Sequence, residues 1–295
     1  MNAAAADRLF VRPFVCAAVQ MNSRLDKAAN VATATRLVEQ AHAAGAELVV
    51  LPEMFNCLGP LPEVVAVAEP IPGPTSEAMS RLAARLQITL LAGSICERSD
   101  APDKGYNTSL LFLPDGQLTA RYRKLHLFDV AIPDRVEIEE SSFILPGDEI
   151  VCRATPLARL GMSTCYDVRF PELYRRLAAA ASDVLCVPAA FTRTTGRDHW
   201  ELLLRARAVE NQAFLIGANQ CGRHGRKLES YGHSLIIDPW GQVLAAAHDE
   251  EAVISAELDP ARLADVRQQL PSLEHRRDIG RVAERSQGWG GHGLK

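Results

Sequence analysis

Apolar residues recur along this chain in two alternating rhythms. Between Asp26 and Ala44, Val31, Ala34, Val38 and Ala41 fall on one helical stripe, with Gly45 just past the end, where a helix readily closes in a left-handed turn. Ser76 to Leu86 and Trp200 to Gln212 keep the same helical spacing. Two short apolar runs follow these helices, ITLLAGSI from residue 88 and AFLIGANQ from residue 213, and both read as buried strands.

The pattern occurs twice. YNTSLLFLPDGQLTA (residues 106–120) aligns without gaps on YGHSLIIDPWGQVLA (231–245), each a strand, a tight turn built on P-x-G-Q, and a second strand. Earlier in each half, AAGAELVVLPEMF (43–55) matches AAASDVLCVPAAF (179–191): the end of a helix, a short β-rich run and a proline. Each half therefore reads as helix, buried strand, helix, strand and hairpin, which implies an internal duplication. Two such halves cover their apolar faces by packing sheet on sheet with helices outside. The predicted fold is α/β, an α-β-β-α sandwich of two pseudo-repeated halves. Residues 1–12 read as a flexible N-terminal tail, 13–280 as a single domain and 281–295 as a C-terminal tail.

Composition narrows the class. With 295 residues, 47% of them hydrophobic, the chain can bury a large core. A net charge of −4 is not the basic balance of a nucleic-acid binder. No apolar run approaches the roughly 20 residues of a membrane helix. The opening MNAAAADRLFVRPF lacks the basic-then-apolar layout of a secretion signal. The seven cysteines are odd in number, include no C-x-x-C pair and lie mostly in apolar runs, so a reducing, cytoplasmic setting is expected. Cys221 and His224 in CGRHGRK form one metal-like pair with no second pair to complete it. Neither a metal nor an organic cofactor is expected.

The differences between the halves point to chemistry. Pro52 and Pro188 correspond, but Glu53 follows the first and Ala189 the second. A carboxylate at the end of a buried strand is costly without a partner or a task, and strand C-terminal ends are where α/β sheets keep their sites. In GMSTCYDVRFPELYRRL (161–177), Cys165 sits where a strand-like run stops and a helix-like run begins.

Glu53 in VVLPEMF, Lys124 in RYRKLHLFD and Cys165 in STCYDVRFPE, in that order, resemble the carbon–nitrogen hydrolases, the nitrilase superfamily. YGHSLIIDPWG is a fourth matching segment, and the resemblance runs from about Val15 to about Asp278. KLHLFDVAIP, FTRTTGRDHWELLLRARAVENQ and NQCGRHGRKLESYGHS look like the branch that removes ammonia from ω-amides of α-keto acids. NQCGRHGRKLESYGHS in particular is similar to the deaminated-glutathione amidases. The resemblance implies the four-layer fold, a homodimer or larger assembly, and a Glu-Lys-Cys triad of Glu53, Lys124 and Cys165. It also implies a second glutamate; Glu137, Glu139 and Glu140 compete, and position relative to Lys124 and the following PG pair favours Glu140.

That residue set suits amide hydrolysis. An amide needs a strong nucleophile, and a thiol needs a lowered pKa or a base to take its proton. The corner at Cys165 would help in both ways, through the helix start that follows and through exposure at a turn. Glu53 is the candidate base, Lys124 and the backbone N–H of Tyr166 the candidate oxyanion donors. Arg193, Thr194 and Thr195, in the loop after the strand that matches the Glu53 strand, are candidates for substrate contacts. The basic loop Arg223, His224, Arg226 and Lys227 either meets the glycine-end carboxylate of deaminated glutathione or is simply solvated. Arg169 and Glu172 are expected either to pair and brace the corner or to meet a dimer partner through the helix that follows, His126 and Phe128 to pack the lysine strand, and Arg205, Arg207 and Glu210 to form a structural charge network. The leading expectation is a thiol amidase acting on deaminated glutathione, in metabolite repair. Its rivals are an ω-amidase acting on α-ketoglutaramate, nitrile or N-carbamoyl hydrolysis, and a non-catalytic binding scaffold of the same fold. A small-molecule amide is the expected partner, with no nucleic acid and no membrane.

Overall fold

The computed structural model describes residues 9–133, 136–225 and 228–277. Its first helix, Lys27–Ala43, is capped by Asp26, whose side chain accepts the Ala29 N–H at 3.0 Å, and is closed by Gly45 at φ +90°. The second sequence-predicted helix runs Pro74–Leu86, with proline at its first turn, where a missing N–H costs nothing. The third begins earlier than its apolar stripe suggests. It runs Arg193–Asn211, because the polar turn RTTGRDH ahead of Trp200 is helical too. Gly196 in that turn lies against Tyr231, where a Cβ would come within 2.4 Å of the Tyr231 side chain.

The strands form two large sheets with one topology. In the first, the order is Ala252–Leu258, Phe14–Gln20, Leu48–Val50, Thr89–Leu91, Gly105–Phe112, Ile95–Arg98, with Leu118–Arg123 also paired to Gly105–Phe112. In the second it is Cys152–Ala154, Arg159–Met162, Val184–Ala189, Phe214–Asn219, Leu235–Ile237, Val243–Ala246. Each sheet has a parallel trio flanked by antiparallel neighbours. Both P-x-G-Q turns close the same way. Gly116 and Gly241 take φ +82° and +86°, and Leu113 and Asp238 donate to the carbonyls of Gln117 and Gln242.

The strand runs are apolar throughout because both faces are covered. Leu48, Val50, Val184 and Cys186 point into the seam between the sheets, where they meet Ala18, Leu91, Met162 and Ile216. Their neighbours Val49 and Leu51 pack under Leu37, Val38, Met79 and Leu82 of the first two helices. Leu185 and Val187 pack under Leu173 and Leu177 of the helix Pro171–Ala179, and under Trp200 and Leu204. These are the four layers that the duplicated pattern predicts.

Two expectations need correction. The described residues begin inside the segment read as a loose tail. Phe10 is buried with its ring 5.3 Å from that of Phe14, and Arg12, though exposed, bonds Glu47, so the core reaches back to Phe10. The run ITLLAGSI is two strands, Thr89–Leu91 and Ile95–Arg98, interrupted at Gly93. Gly93 takes φ +39°, and a Cβ there would lie 1.9 Å from the Pro52 carbonyl oxygen. Glycine lets that backbone press against the Pro52–Glu53 corner. The tail expected over 281–295 lies outside the described residues. Among the described residues no helix is long and apolar enough to cross a membrane.

Candidate active site

Four chain segments reach one cleft of about 2090 Å³, and Glu53, Lys124, Glu140 and Cys165 all line it. Glu53 follows the strand Leu48–Val50, Lys124 follows Leu118–Arg123, and Cys165 follows Arg159–Met162. Glu140 opens a short 3-10 turn after the hairpin of Asp129–Ile132 and Val136–Glu139. Glu137 and Glu139 are exposed on that hairpin, whereas Glu140 is buried beside Lys124.

Lys124 is 2% exposed and lies between two carboxylates. Its Nζ donates to Glu140 Oε2 at 2.8 Å and Oε1 at 3.1 Å, and to Glu53 Oε1 at 3.1 Å. Burial works to lower the lysine pKa, but the charges of Glu140 and Glu53 outweigh it and hold the ammonium well above its ordinary range. Glu140 Oε2 also accepts the Phe128 N–H at 2.6 Å. Glu53 Oε1 accepts a second donor, Asn107 Nδ2, at 2.7 Å, while Oε2 takes the Ala190 N–H at 2.8 Å. Oε1 is thus committed to two donors and Oε2 to one, and the charge of this carboxylate acts on the Cys165 thiol. The free acceptor capacity lies on Oε2.

Cys165 takes φ +48° and begins a short 3-10 turn, Cys165–Arg169, with the longer helix starting only at Pro171. Burial, then the charge of Glu53, pushes the thiol well above its ordinary pKa, against the pull of Lys124. The helix start therefore does not produce a resting thiolate. All seven thiols are raised by burial, with Cys96, Cys186 and Cys221 pushed up to about 12. What distinguishes Cys165 is an adjacent carboxylate and an opening to the cleft.

The corner is held from behind by Asp167, which is fully buried. Its Oδ2 accepts the Tyr122 hydroxyl at 2.6 Å and the Thr164 N–H at 2.8 Å; its Oδ1 accepts the His126 N–H at 3.0 Å and meets His126 Nδ1 at 2.8 Å. Thr164 precedes Cys165 and His126 lies two residues after Lys124, so one carboxylate ties the two segments together. Asp167→Asn would turn an amide N–H toward donors already in place. It should cost about 3 kcal/mol in urea denaturation; a loss below about 0.5 kcal/mol would mean that the corner is held by other contacts.

The other sequence-predicted residues divide. Arg193 and Thr194 line the cleft, as do Thr192 and Arg197, but Thr195 does not; its hydroxyl turns back to Thr192 Oγ1 at 2.9 Å. All three predicted contacts open the helix Arg193–Asn211 rather than a loop. Arg193 is half-exposed and is shared between Glu229 at 3.6 Å and Asp249 at 3.5 Å. Arg169 does not pair with Glu172. It meets His199 Nδ1 at 3.3 Å and lies over the rings of Tyr166 and Phe191, while Glu172 is exposed. The charge network is two units: Arg207 donates to the Val168 carbonyl and to Glu210 behind the corner, and Arg205 instead bonds the Gly241 carbonyl. His126 packs flat on Phe170, with ring centroids 3.7 Å apart, besides its bond to Asp167. Phe128 lines the cleft rather than only packing.

In the basic loop, Arg223 is exposed, and Arg226 and Lys227 lie outside the described residues. His224 is buried, bonds the Ser23 carbonyl through Nδ1 at 2.7 Å, and has its pKa lowered to about 4 by burial. It is neutral at ordinary pH, so it cannot supply the positive charge that the basic-loop reading gave it.

Sequence reasoning missed Asn107, the Ala190 N–H and Asp167. A signal for the first was available. In the aligned hairpins Asn107 stands opposite Gly232, just as Glu53 stands opposite Ala189.

Paired α-β-β-α layers around a buried glutamate, lysine and cysteine define a carbon–nitrogen hydrolase. The family model for carbon-nitrogen hydrolases matches residues 16–268, and the chain belongs to that family. It is 45% identical over 269 residues to a deaminated glutathione amidase of Synechocystis, covering 90% of this chain and 99% of that one. It is 39% identical over 264 residues to the human omega-amidase NIT2, covering 90% and 95%. Among solved structures it resembles Nit3 of Saccharomyces cerevisiae, a member of branch 10 of the nitrilase superfamily, with a TM-score of 0.81 and 35% identity over 90% of this chain and 97% of that one. The enzyme is an amidase.

Proposed function

We propose that this amidase hydrolyses the linear γ-amide that joins the keto-acid part of deaminated glutathione to cysteinylglycine, through a thioester on Cys165. The observation that carries the chemistry is the buried cluster in which Glu53, bonded to Lys124, shares one cleft with the Cys165 thiol. The Cys165 proton passes to Glu53 Oε2 as Sγ attacks the amide carbon, and the carbonyl π pair moves onto oxygen. Lys124 has three N–H bonds: one to Glu53 Oε1, one to Glu140 Oε2, and a third to Glu140 Oε1 at 3.1 Å, which is released as the substrate enters. The third, with the N–H of Tyr166, receives the oxyanion. When the oxygen pair returns, the C–N bond breaks and the nitrogen takes the proton from Glu53, leaving as the free amine of cysteinylglycine. Water then gives a proton to Glu53 and attacks the thioester. Collapse expels the sulfur, which recovers that proton, and the carboxylic acid departs. Glu140 holds Lys124 in place throughout.

The size of the cleft supports the longer of the two substrates. At about 2090 Å³ it exceeds the roughly 300–1,000 Å³ of ordinary small-ligand sites, room that α-ketoglutaramate leaves empty. Arg193 and Arg197 on its wall suit a substrate with carboxylates at its far end. Formation of α-ketoglutarate from deaminated glutathione and from α-ketoglutaramate, side by side with Cys165→Ala as blank, tests this. A kcat/KM at least about tenfold higher for the tripeptide is expected. Equal or reversed preference makes the enzyme an ω-amidase.

A further inference from the structure

We infer that Asn107 is a positioning residue that clamps both glutamates of the site and keeps Glu53 Oε2 as the atom that takes the thiol proton; this rests on the assignment of Glu53 as base. Asn107 is 1% exposed, in the strand Gly105–Phe112. Its Nδ2 donates to Glu53 Oε1 at 2.7 Å and reaches Glu140 Oε1 at 3.4 Å. Its backbone carbonyl accepts the Lys124 N–H at 2.9 Å, so the same residue also fixes the start of the lysine segment. One residue thus touches both carboxylates beside Cys165 and the backbone of the lysine.

The orientation of the side chain supports a role beyond filling space. Asn107 Oδ1 is buried without a hydrogen-bond partner. A buried acceptor without a donor is unfavourable, so something must hold the amide in this orientation. Here a flip of the amide would set Oδ1 against two carboxylates. The carboxylates dictate the orientation, and the orphaned oxygen is its consequence. The aligned repeat strengthens the point. The half without a glutamate has Gly232 at the matching position and Ala189 opposite Glu53, so the clamp and the carboxylate it holds occur together.

The consequence is chemical. With Asn107 and Lys124 both on Oε1, the oxygen left to take the thiol proton is Oε2, which accepts only the Ala190 N–H. A donor to a carboxylate favours its ionised form, and removing one favours the protonated form. The groups facing Glu53 are Lys124, Glu140, Cys165, Asn107 and the Ala190 N–H. Asn107→Ala removes one donor and leaves the charges unchanged, so the acidic limb of any reaction that uses Glu53 as base must move to higher pH.

The test follows alkylation of Cys165 by iodoacetamide as a function of pH, read by peptide mass spectrometry so that the other six cysteines do not intrude. It needs no substrate, so it stands whichever amide the enzyme takes. Asn107→Ala should move the midpoint of the acidic limb up by about one pH unit, and Asn107→Asp by more, because it sets a third carboxylate in the cluster. Thr108→Val, which removes a buried bond from the same strand to Glu97, should leave the midpoint in place although it costs stability. Midpoints for Asn107→Ala and Asn107→Asp that coincide with wild type overturn the inference. If Asn107→Ala does not fold, the shift in the near-isosteric Asn107→Asp decides. A wild-type profile with no acidic limb that Glu53→Gln alters refutes Glu53 as the base, a result distinct from an unmoved limb in the Asn107 variants.

Discussion

Lys124→Met loses turnover and several kcal/mol of stability together. The side chain is 2% exposed, and it bonds Glu53 and Glu140 through a single nitrogen. Taking one partner from a buried ionic cluster costs about 3–5 kcal/mol, because the carboxylates left behind are neither solvated nor paired. The activity loss should reach about 10³-fold or more, since an oxyanion donor alone is worth about 10²–10³. The pH dependence supplies a second signature. In the wild type, Lys124 holds its proton above the ordinary 10.5, so its contribution is present in full below that value and is lost only as pH rises through the higher folded one. In the variant, two carboxylates share a site with no cation, and one takes up a proton on folding. The deficit in urea-denaturation free energy should therefore shrink from pH 8 to pH 5. A deficit that stays constant across that range would mean that the two glutamates separate once the lysine is gone.

Cys165→Ala shows the opposite profile: no turnover, little change in stability. The change removes one sulfur, and Ala replaces Cys at φ +48° with the same backbone strain. The cost should stay below about 1 kcal/mol, while hydrolysis falls about 10⁴-fold or more for want of a nucleophile. The variant keeps Glu53, Lys124, Glu140 and the cleft walls, so calorimetry on it should report substrate binding directly. Intact mass of the wild type, quenched in acid during turnover, should show the acyl adduct that the variant lacks. Residual activity above about a tenth of wild type would remove Cys165 from the mechanism.

The layers of the fold were legible because the chain states them twice. A buried strand such as LVV at 48–50 is indistinguishable from a buried helical turn in isolation. Its match at VLCV, with the same helix before and the same proline after, settles the reading. The start of the helix Arg193–Asn211 was not legible, because its first turn is polar and carries Gly196, which reads as a breaker until Tyr231 is seen against it. Glu53 stands out as a residue out of place between the halves, whereas Lys124 and Cys165 become legible through the family resemblance of the motifs that hold them. Asp167 does neither. An aspartate just after a cysteine reads as turn chemistry, and its bonds to Tyr122 and His126 cross more than forty residues of sequence. The Ala190 N–H could not be found from side chains at all, since the backbone does that work.

The pairing of Phe14–Gln20 with Ala252–Leu258 has a consequence for how the molecule is assembled. In the second sheet the corresponding neighbour, Cys152–Ala154, comes just ahead of its partner Arg159–Met162. In the first sheet that neighbour arrives from the far end of the chain. Joined end to end, the two halves would form a closed ring in which each sheet is preceded by its own edge strand. The actual chain is that ring cut open between the strand Ala252–Leu258 and the strand Phe14–Gln20. The sheet bearing Glu53 is therefore the first to be synthesised and the last to be completed. Until Leu258 has left the ribosome, the nascent protein holds an open strand next to the half that carries its base.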